Sequence, residues 1–199
     1  MSMKTVVIKY NAGNVRSVQF ALERLGVEPL LTDDPVEILS ADRIIFPGVG
    51  EASSAMAYLK QRGLDKTILE AKQPFLGICL GMQLMCAHSE ENDTSCLGVF
   101  QEKVKRFVAD GSVQKIPQIG WNTIHGLKSN LFKDVPENSH CYFVHSYCAQ
   151  LGQHTIATAD YCGLFSAALQ TKNYYGVQFH PEKSARLGAT IIENFLNIV

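Results

Sequence analysis

The chain alternates short, wholly apolar runs with longer stretches in which apolar residues recur at helical spacing. Thr5-Val6-Val7-Ile8 is β-branched and apolar, which predicts a first strand buried on both faces. Val15, Val18, Leu22 and Leu25 then keep helical spacing, with Asn14 placed to cap the helix and Gly26 just past its end. Leu30-Leu31 predicts a short strand. Asp34-Pro35 reads as N-cap and first residue of a short helix carrying Val36 and Leu39. Arg43-Ile44-Ile45-Phe46 predicts the next strand, stopped by Pro47-Gly48-Val49-Gly50. Met56 and Leu59 mark a helix that breaks at Gly63, and Leu64, Ile68 and Leu69 mark another. Pro74-Phe75-Leu76-Gly77-Ile78 is a buried strand that ends at Cys79, and Leu80-Gly81-Met82-Gln83-Leu84-Met85 opens a helix.

Strand and helix in alternation imply parallel pairing with helices on both faces. After about Ser89 the pattern changes. Val99-Phe100, Val104–Phe107, Cys141–Tyr147, Thr155–Ala159, Leu164–Leu169 and Tyr174–Phe179 predict successive strands with short links. Ser184 is placed to cap a last helix carrying Leu187, Ile191, Phe195 and Ile198. The expected fold is therefore α/β: a mixed, mostly parallel sheet flanked by helices, with antiparallel strands in the C-terminal half. The chain shows no internal repeat, low-complexity tract or linker, so residues 1–199 are expected to form a single domain.

Composition narrows the classes. At 46% hydrophobic and 19% charged residues the balance is that of an ordinary folded domain, not a disordered chain. The net charge of -1 and the lack of a basic run argue against a nucleic-acid or anionic-membrane surface. No apolar stretch is long enough to span a membrane, and Met1-Ser2-Met3-Lys4 leads into a strand rather than a signal peptide. Six cysteines occur without a Cys-x-x-Cys pair, which fits a reducing cytoplasm better than a disulfide framework. No cluster has the spacing of metal ligands, so neither metal nor cofactor is expected.

The candidate chemistry lies in Gly77-Ile78-Cys79-Leu80-Gly81, a nucleophile placed between glycines at a strand-to-helix turn. That turn exposes a side chain at the carboxyl edge of a sheet, and a thiol at a helix start is favoured as thiolate. Cys86, on the following helix, reads as core. A cysteine nucleophile needs a base, and the base needs an orienting group. His180 follows an apolar strand, and Pro181 fixes the backbone between it and Glu182, whereas His88, His125, His140 and His154 read as structural or surface residues. The backbone N–H of Leu80 is one oxyanion donor, and the loop Gly48-Val49-Gly50 can bring a second close to substrate. Gln83, one turn past Cys79, either binds a polar substrate or faces solvent. Trp121, the lone tryptophan, is either a packing residue or a contact residue.

These residues resemble the triad (class I) glutamine amidotransferase family. Gly-Ile-Cys-Leu-Gly-Met-Gln (77–83) and His-Pro-Glu (180–182) carry the likeness. Pro-Gly-Val-Gly (47–50), Gly-Trp-Asn (120–122) and Gln-Phe-His-Pro-Glu-Lys-Ser (178–184) are finer signals, similar to the glutaminase subunits of imidazole glycerol phosphate synthases. The likeness runs from Tyr10-Asn11-Ala12-Gly13-Asn14 to the last helix. It implies Cys79 as nucleophile, His180 as acid/base and Glu182 as its orienter. It implies that Gly48, Val49 and Gly50 form an oxyanion strand that rearranges before it donates, and that Gln83 helps hold glutamine. It further implies that Glu91, or its neighbour Glu90, meets the substrate ammonium and that His145, Ser146 and Tyr147 line the pocket. Asn11, Asn14, Trp121, Tyr142 and Lys183 fall where that family meets its partner, a cyclase subunit that is a (β/α)8 barrel. The implied reaction is hydrolysis of L-glutamine, with ammonia delivered to the cyclase.

Three other readings share part of this pattern. A glutaminase subunit of another synthase, of the anthranilate type, would keep the triad, but Lys183-Ser184 and Gly120-Trp121-Asn122 speak against it. A thiol peptidase on a similar sheet would need an open cleft. A non-catalytic binding module would not need Cys79, His180 and Glu182 together.

Overall fold

The computed structural model describes residues 3–11, 14–109 and 115–198. Its element order is β1 (Thr5–Ile8), α1 (Val15–Arg24), β2 (Leu30–Thr32), α2 (Pro35–Leu39), β3 (Arg43–Gly48), α3 (Ala52–Gln61), α4 (Leu64–Glu70), β4 (Phe75–Cys79) and α5 (Leu80–Met85). There follow β5 (His88–Ser89), β6 (Thr94–Ser95), β7 (Lys103–Arg106), β8 (Gln118–Ile124), β9 (Ser139–His145), β10 (Tyr147–Ala149), β11 (Thr155–Asp160), β12 (Leu164–Thr171), β13 (Tyr174–Val177) and α6 (Ala185–Leu196).

The main sheet has seven strands in the order β11-β12-β13-β4-β3-β1-β2. The five from β13 to β2 are parallel, while β11 and β12 add antiparallel pairs at one edge. Because side chains alternate along a strand, β1 feeds two cores. Val6 and Ile8 join Ile44, Phe46, Phe75 and the residues of α2 to α5 on one face. Val7, Ile45, Leu76 and Ile78 join α1, α6 and β9 on the other. The apolar runs of the parallel strands are continuous because both faces are covered. Helix α5 lies directly on β4 and β13, whose Gly77 and Gly176 are register partners. A Cβ on Gly77 would lie 2.9 Å from the backbone nitrogen of Met82, and one on Gly176 would lie 2.4 Å from Met82 Cγ, so glycine at these positions lets α5 pack this closely.

Several expectations need correction. Pro47 does not stop β3: the strand runs on to Gly48, which pairs with Cys79 in a parallel ladder that leaves the proline without a donating role. Val99-Phe100 is not a strand; Phe100 is an anchor buried in the core. The run Cys141–Tyr147 is two strands, broken at Ser146 between β9 and β10. The second half also forms not one sheet but three. Besides the two antiparallel strands of the main sheet there is a four-stranded sheet, β10-β7-β5-β6, and a separate hairpin pair, β8-β9. Strand β8 went unread because Gln118-Ile119-Gly120-Trp121-Asn122 exposes apolar residues and interrupts them with glycine.

Neither Asn14 nor Ser184 caps a helix through its side chain. Asp34 does so as expected, its carboxylate accepting from Val36 N at 2.9 Å. The two polar side chains that fail to cap are used at the site instead.

Candidate active site

The C-terminal ends of β3, β4 and β13 meet at one edge of the main sheet, and the chemistry gathers there. Cys79 ends β4 and begins α5 with φ 53° and ψ -110°. For a residue with a Cβ this is a strained backbone, costing about 1–3 kcal/mol, and it persists only because the packing around it dictates it. A Cβ on Gly81 would fall 1.9 Å from the carbonyl oxygen of Phe46, so glycine at this position lets α5 start against β3. Cys79 is 6% exposed; its thiol faces the Val144 carbonyl at 3.8 Å, while the Gln178 amide donates to the sulfur at 3.7 Å.

His180 follows β13 and is held on several sides. Its backbone N–H donates to Tyr142 O at 2.8 Å, and its carbonyl accepts from Ser184 Oγ at 2.7 Å. Ser184 Oγ in turn accepts from Tyr142 N at 3.0 Å, tying the His-Pro-Glu turn to β9. The imidazole Nδ1 meets Glu182 Oε1 at 2.8 Å inside the protein. A second donor, Asn14 Nδ2, also reaches Glu182 Oε1 from a position 168 residues away in sequence. With Nδ1 committed to the carboxylate, Nε2 is the nitrogen left for the sulfur. Burial works against a charge on His180, yet the hydrogen bonds to Cys79 and Glu182 outweigh it and raise its pKa from 6.5 to about 10. At neutral pH the imidazole therefore holds a proton between sulfur and carboxylate.

The triad opens into a cavity of about 290 Å³, lined by Val49, Gly50, Leu80, Gln83, Glu91, Pro117, Val144, His145, Ser146, Tyr147 and Lys183 with Cys79 and His180. That volume is at the small end of ligand sites and suits an amino acid rather than an extended peptide. Gly48 stands one step back, in the ladder beside Cys79. Gln83 does not face solvent: it is buried, and its Nε2 donates to Tyr147 O at 2.8 Å and Gln178 Oε1 at 2.9 Å. Glu91 reaches the pocket while its Oε2 accepts from Ala52 N at 2.8 Å, and burial raises its pKa. Glu90 points elsewhere, accepting from Arg106 N. Gln178, Pro117 and Val144 belong to the site but were missed. For Gln178 a signal existed, since residues two apart on a strand share a face and His180 lies two further on.

His145 is a structural member of the pocket. Burial lowers its pKa from 6.5 to about 4, with the neighbouring charge of His180 lowering it further and the Tyr147 carbonyl opposing. Tyr147 O accepts from Nδ1 at 2.7 Å, so that nitrogen carries the proton, and Nε2 lies 2.9 Å from Gln118 Oε1. Below pH 6.5 the unfolded chain binds a proton at this residue and the folded chain does not until about pH 4. Stability should thus fall by up to about 3 kcal/mol across that window. His180 is protonated in both states there and contributes no slope; its stabilisation is lost only as pH rises from 6.5 through about 10. Denaturant titrations of wild type and His145→Gln between pH 6.5 and 4 should show the slope in the first and not in the second.

Of the other expected contact residues, Trp121 and Tyr142 are register partners on β8 and β9, with ring centroids 5.9 Å apart and nearly perpendicular. Lys183 Nζ sits 6.0 Å over the Tyr142 ring at the pocket mouth. Asn11 is exposed beyond β1, and Ala12 and Gly13 lie outside the described residues. Among the described residues no group of His, Cys, Asp and Glu is placed to hold a metal ion. None of the described helices is long and apolar enough to cross a membrane.

A strained cysteine at a strand-to-helix turn, a buried His-Glu pair and an amino-acid-sized pocket define a thiol amidase. The sequence profile of the class-I glutamine amidotransferases matches residues 6–199, and the chain belongs to that family. Within it the chain groups with imidazole glycerol phosphate synthase HisH subunits. It is 54% identical to one from Bacteroides fragilis (strain YCH46) over 196 residues, covering 98% of this chain and 100% of that protein. It is 45% identical to one from Vibrio parahaemolyticus over 202 residues, covering 98% of each. Among solved structures, a glutamine amidotransferase is similar with a TM-score of 0.73 at 18% identity, covering 96% of each chain. Another, from Thermotoga maritima, has a TM-score of 0.63 at 19% identity, covering 98% of this chain and 83% of that one. At such identities these two speak for the fold.

Proposed function

We propose that this chain is the cytoplasmic glutaminase subunit of an imidazole glycerol phosphate synthase, serving histidine biosynthesis with a (β/α)8-barrel cyclase as its partner. The observation that carries the reaction is the strained Cys79 next to a His180 that it hydrogen-bonds and whose Nδ1 is fixed by buried Glu182. The sulfur attacks the side-chain carboxamide carbon of L-glutamine. The oxyanion that forms needs donors, for which the candidates are the Leu80 N–H at the start of α5 and the strand Gly48-Val49-Gly50 once it has rearranged. His180 gives its proton to the departing nitrogen, the C–N bond breaks, and ammonia leaves a γ-glutamyl thioester. Water, deprotonated by His180, then cleaves the thioester to glutamate and restores the thiol. Glu91 offers an anionic partner for the substrate ammonium. No step calls for a metal or cofactor.

Ammonia in water is mostly protonated at neutral pH and no longer nucleophilic, so its use demands a dry passage to a second site. The surface around the mouth suits a docked partner. Ile119 is 64% and Trp121 54% exposed, beside Tyr142, and exposed aromatic residues of this kind are enriched in interface centres, with Lys183 at the edge of the patch. Asn11 lies beyond β1 at the carboxyl edge of the same sheet. There the cyclase would form imidazole glycerol phosphate and aminoimidazole carboxamide ribotide from the delivered ammonia.

Glutamate release should be measured for the chain alone, then with the matching cyclase and its ribonucleotide ligand. Completing an oxyanion hole by one donor is worth roughly 10²–10³ in kcat, and stimulation of that order is expected. Full activity without the cyclase would assign the subunit to another synthase, and no turnover in any state would overturn the amidase reading.

A further inference from the structure

Tyr10 is a buried side chain that the mechanism above does not use. It lies two residues beyond β1, 6% exposed, with its ring packed on Phe46 at 5.0 Å between centroids. Its hydroxyl makes no hydrogen bond, one of few buried side-chain polar atoms among the described residues in that position. A buried O–H without an acceptor is unfavourable, and in a folded protein such a group calls for a specific explanation.

The position of the hydroxyl shows which group would do so. A Cβ built on Gly48 would lie 2.2 Å from Tyr10 Oη, so the hydroxyl rests against the Gly48 backbone. The same Cβ would lie 3.1 Å from Gly81 N and 3.1 Å from Leu80 Cβ. The side of Gly48 that a side chain would occupy is therefore filled by the Tyr10 hydroxyl and the start of the helix that follows Cys79. Past Gly48 the strand leaves the ladder, and the Gly48–Val49 peptide is the first that is free to turn. Burial and the nearby charge of Cys79 both raise the phenol pKa, so the hydroxyl stays a neutral donor at working pH.

We propose that Tyr10 is a positioning residue: its hydroxyl donates to the carbonyl of the Gly48–Val49 peptide when the oxyanion strand takes up its donating arrangement. This rests on the glutaminase reading. A hydrogen bond made only in the donating arrangement shifts that equilibrium toward it, and a shift felt in the transition state appears in kcat rather than KM.

Tyr10→Phe removes the hydroxyl and keeps the ring against Phe46. In the complex with the cyclase and its ligand, the variant is expected to lose about tenfold in glutaminase kcat, with KM for glutamine within twofold. Its thermal midpoint should equal or exceed that of the wild type, because the resting hydroxyl has no partner to lose. A merely structural role would lower the midpoint along with activity, and that outcome would overturn the proposal, as would an unchanged kcat. The wild-type complex assayed in parallel separates this result from the parent reading: if it releases no glutamate, both fall, whereas wild-type turnover with an unaffected variant removes Tyr10 alone.

Discussion

Cys79→Ala should abolish glutamate release from glutamine, by at least about 10⁴-fold, while the complex with the cyclase continues to use free ammonia. The loss is large because the thioester has no other route. Burial pushes the thiol pKa of Cys96 up to about 11 and those of Cys141 and Cys148 up to about 12, and that of Cys86 well above its ordinary value. None of these is a thiolate at neutral pH, and His180 is committed to Cys79. Ser146 also lines the pocket, but among the described residues no base is paired with its hydroxyl to activate it. Ammonia-dependent synthesis should persist because the cyclase chemistry takes nothing from the thiol. Assays with glutamine and with ammonium as nitrogen donor distinguish the cases; loss of both would make Cys79 a structural residue.

Glu182→Gln should lower kcat by roughly 10²–10⁴ with little change in KM. The amide is nearly isosteric, and its oxygen can still accept from Asn14 and His180, so the variant removes the charge and keeps the shape. His180 owes its raised pKa to its bonds with Cys79 and Glu182 set against burial. Without the carboxylate, burial gains weight and the midpoint must fall below about 10. Ring-proton NMR of His180 across pH should show that downward move together with the loss of rate. A variant retaining at least a third of wild-type kcat would deny Glu182 the orienting role.

The elements that position Cys79 were legible in the chain because they rest on local periodicity. Four strands of the main sheet, β1, β3, β4 and β13, carry runs of apolar residues too continuous for a half-exposed strand. The elbow is written in adjacent residues, Gly77 to Gly81. Element ends were less legible: β3 passes through Pro47 because its place in the ladder does not need that residue's donor. In the second half, β8 shows apolar residues to the outside, which inverts the usual pattern. The reason is visible in the hairpin, where Ile119 and Trp121 remain uncovered beside the mouth of the site.

Asn14 and Ser184 show the limit most clearly. Each stands one residue before a helix, where propensity favours a cap, and each serves His180 or its carboxylate partner instead. A short polar side chain satisfies itself with whichever donor or acceptor packing brings nearest. The sequence by itself determined the α/β architecture, the sharp strand-to-helix turn at Cys79 and the adjacency of His180 and Glu182, because periodicity, glycine placement and adjacency act within a few residues. Only the tertiary structure decided that Asn14 reaches Glu182, that Gln178 meets both Gln83 and the sulfur, and that the Tyr10 hydroxyl lies against Gly48. Those contacts join segments whose separation in the chain carries no distance information, and they form only when burial of the two cores sets the sheet order.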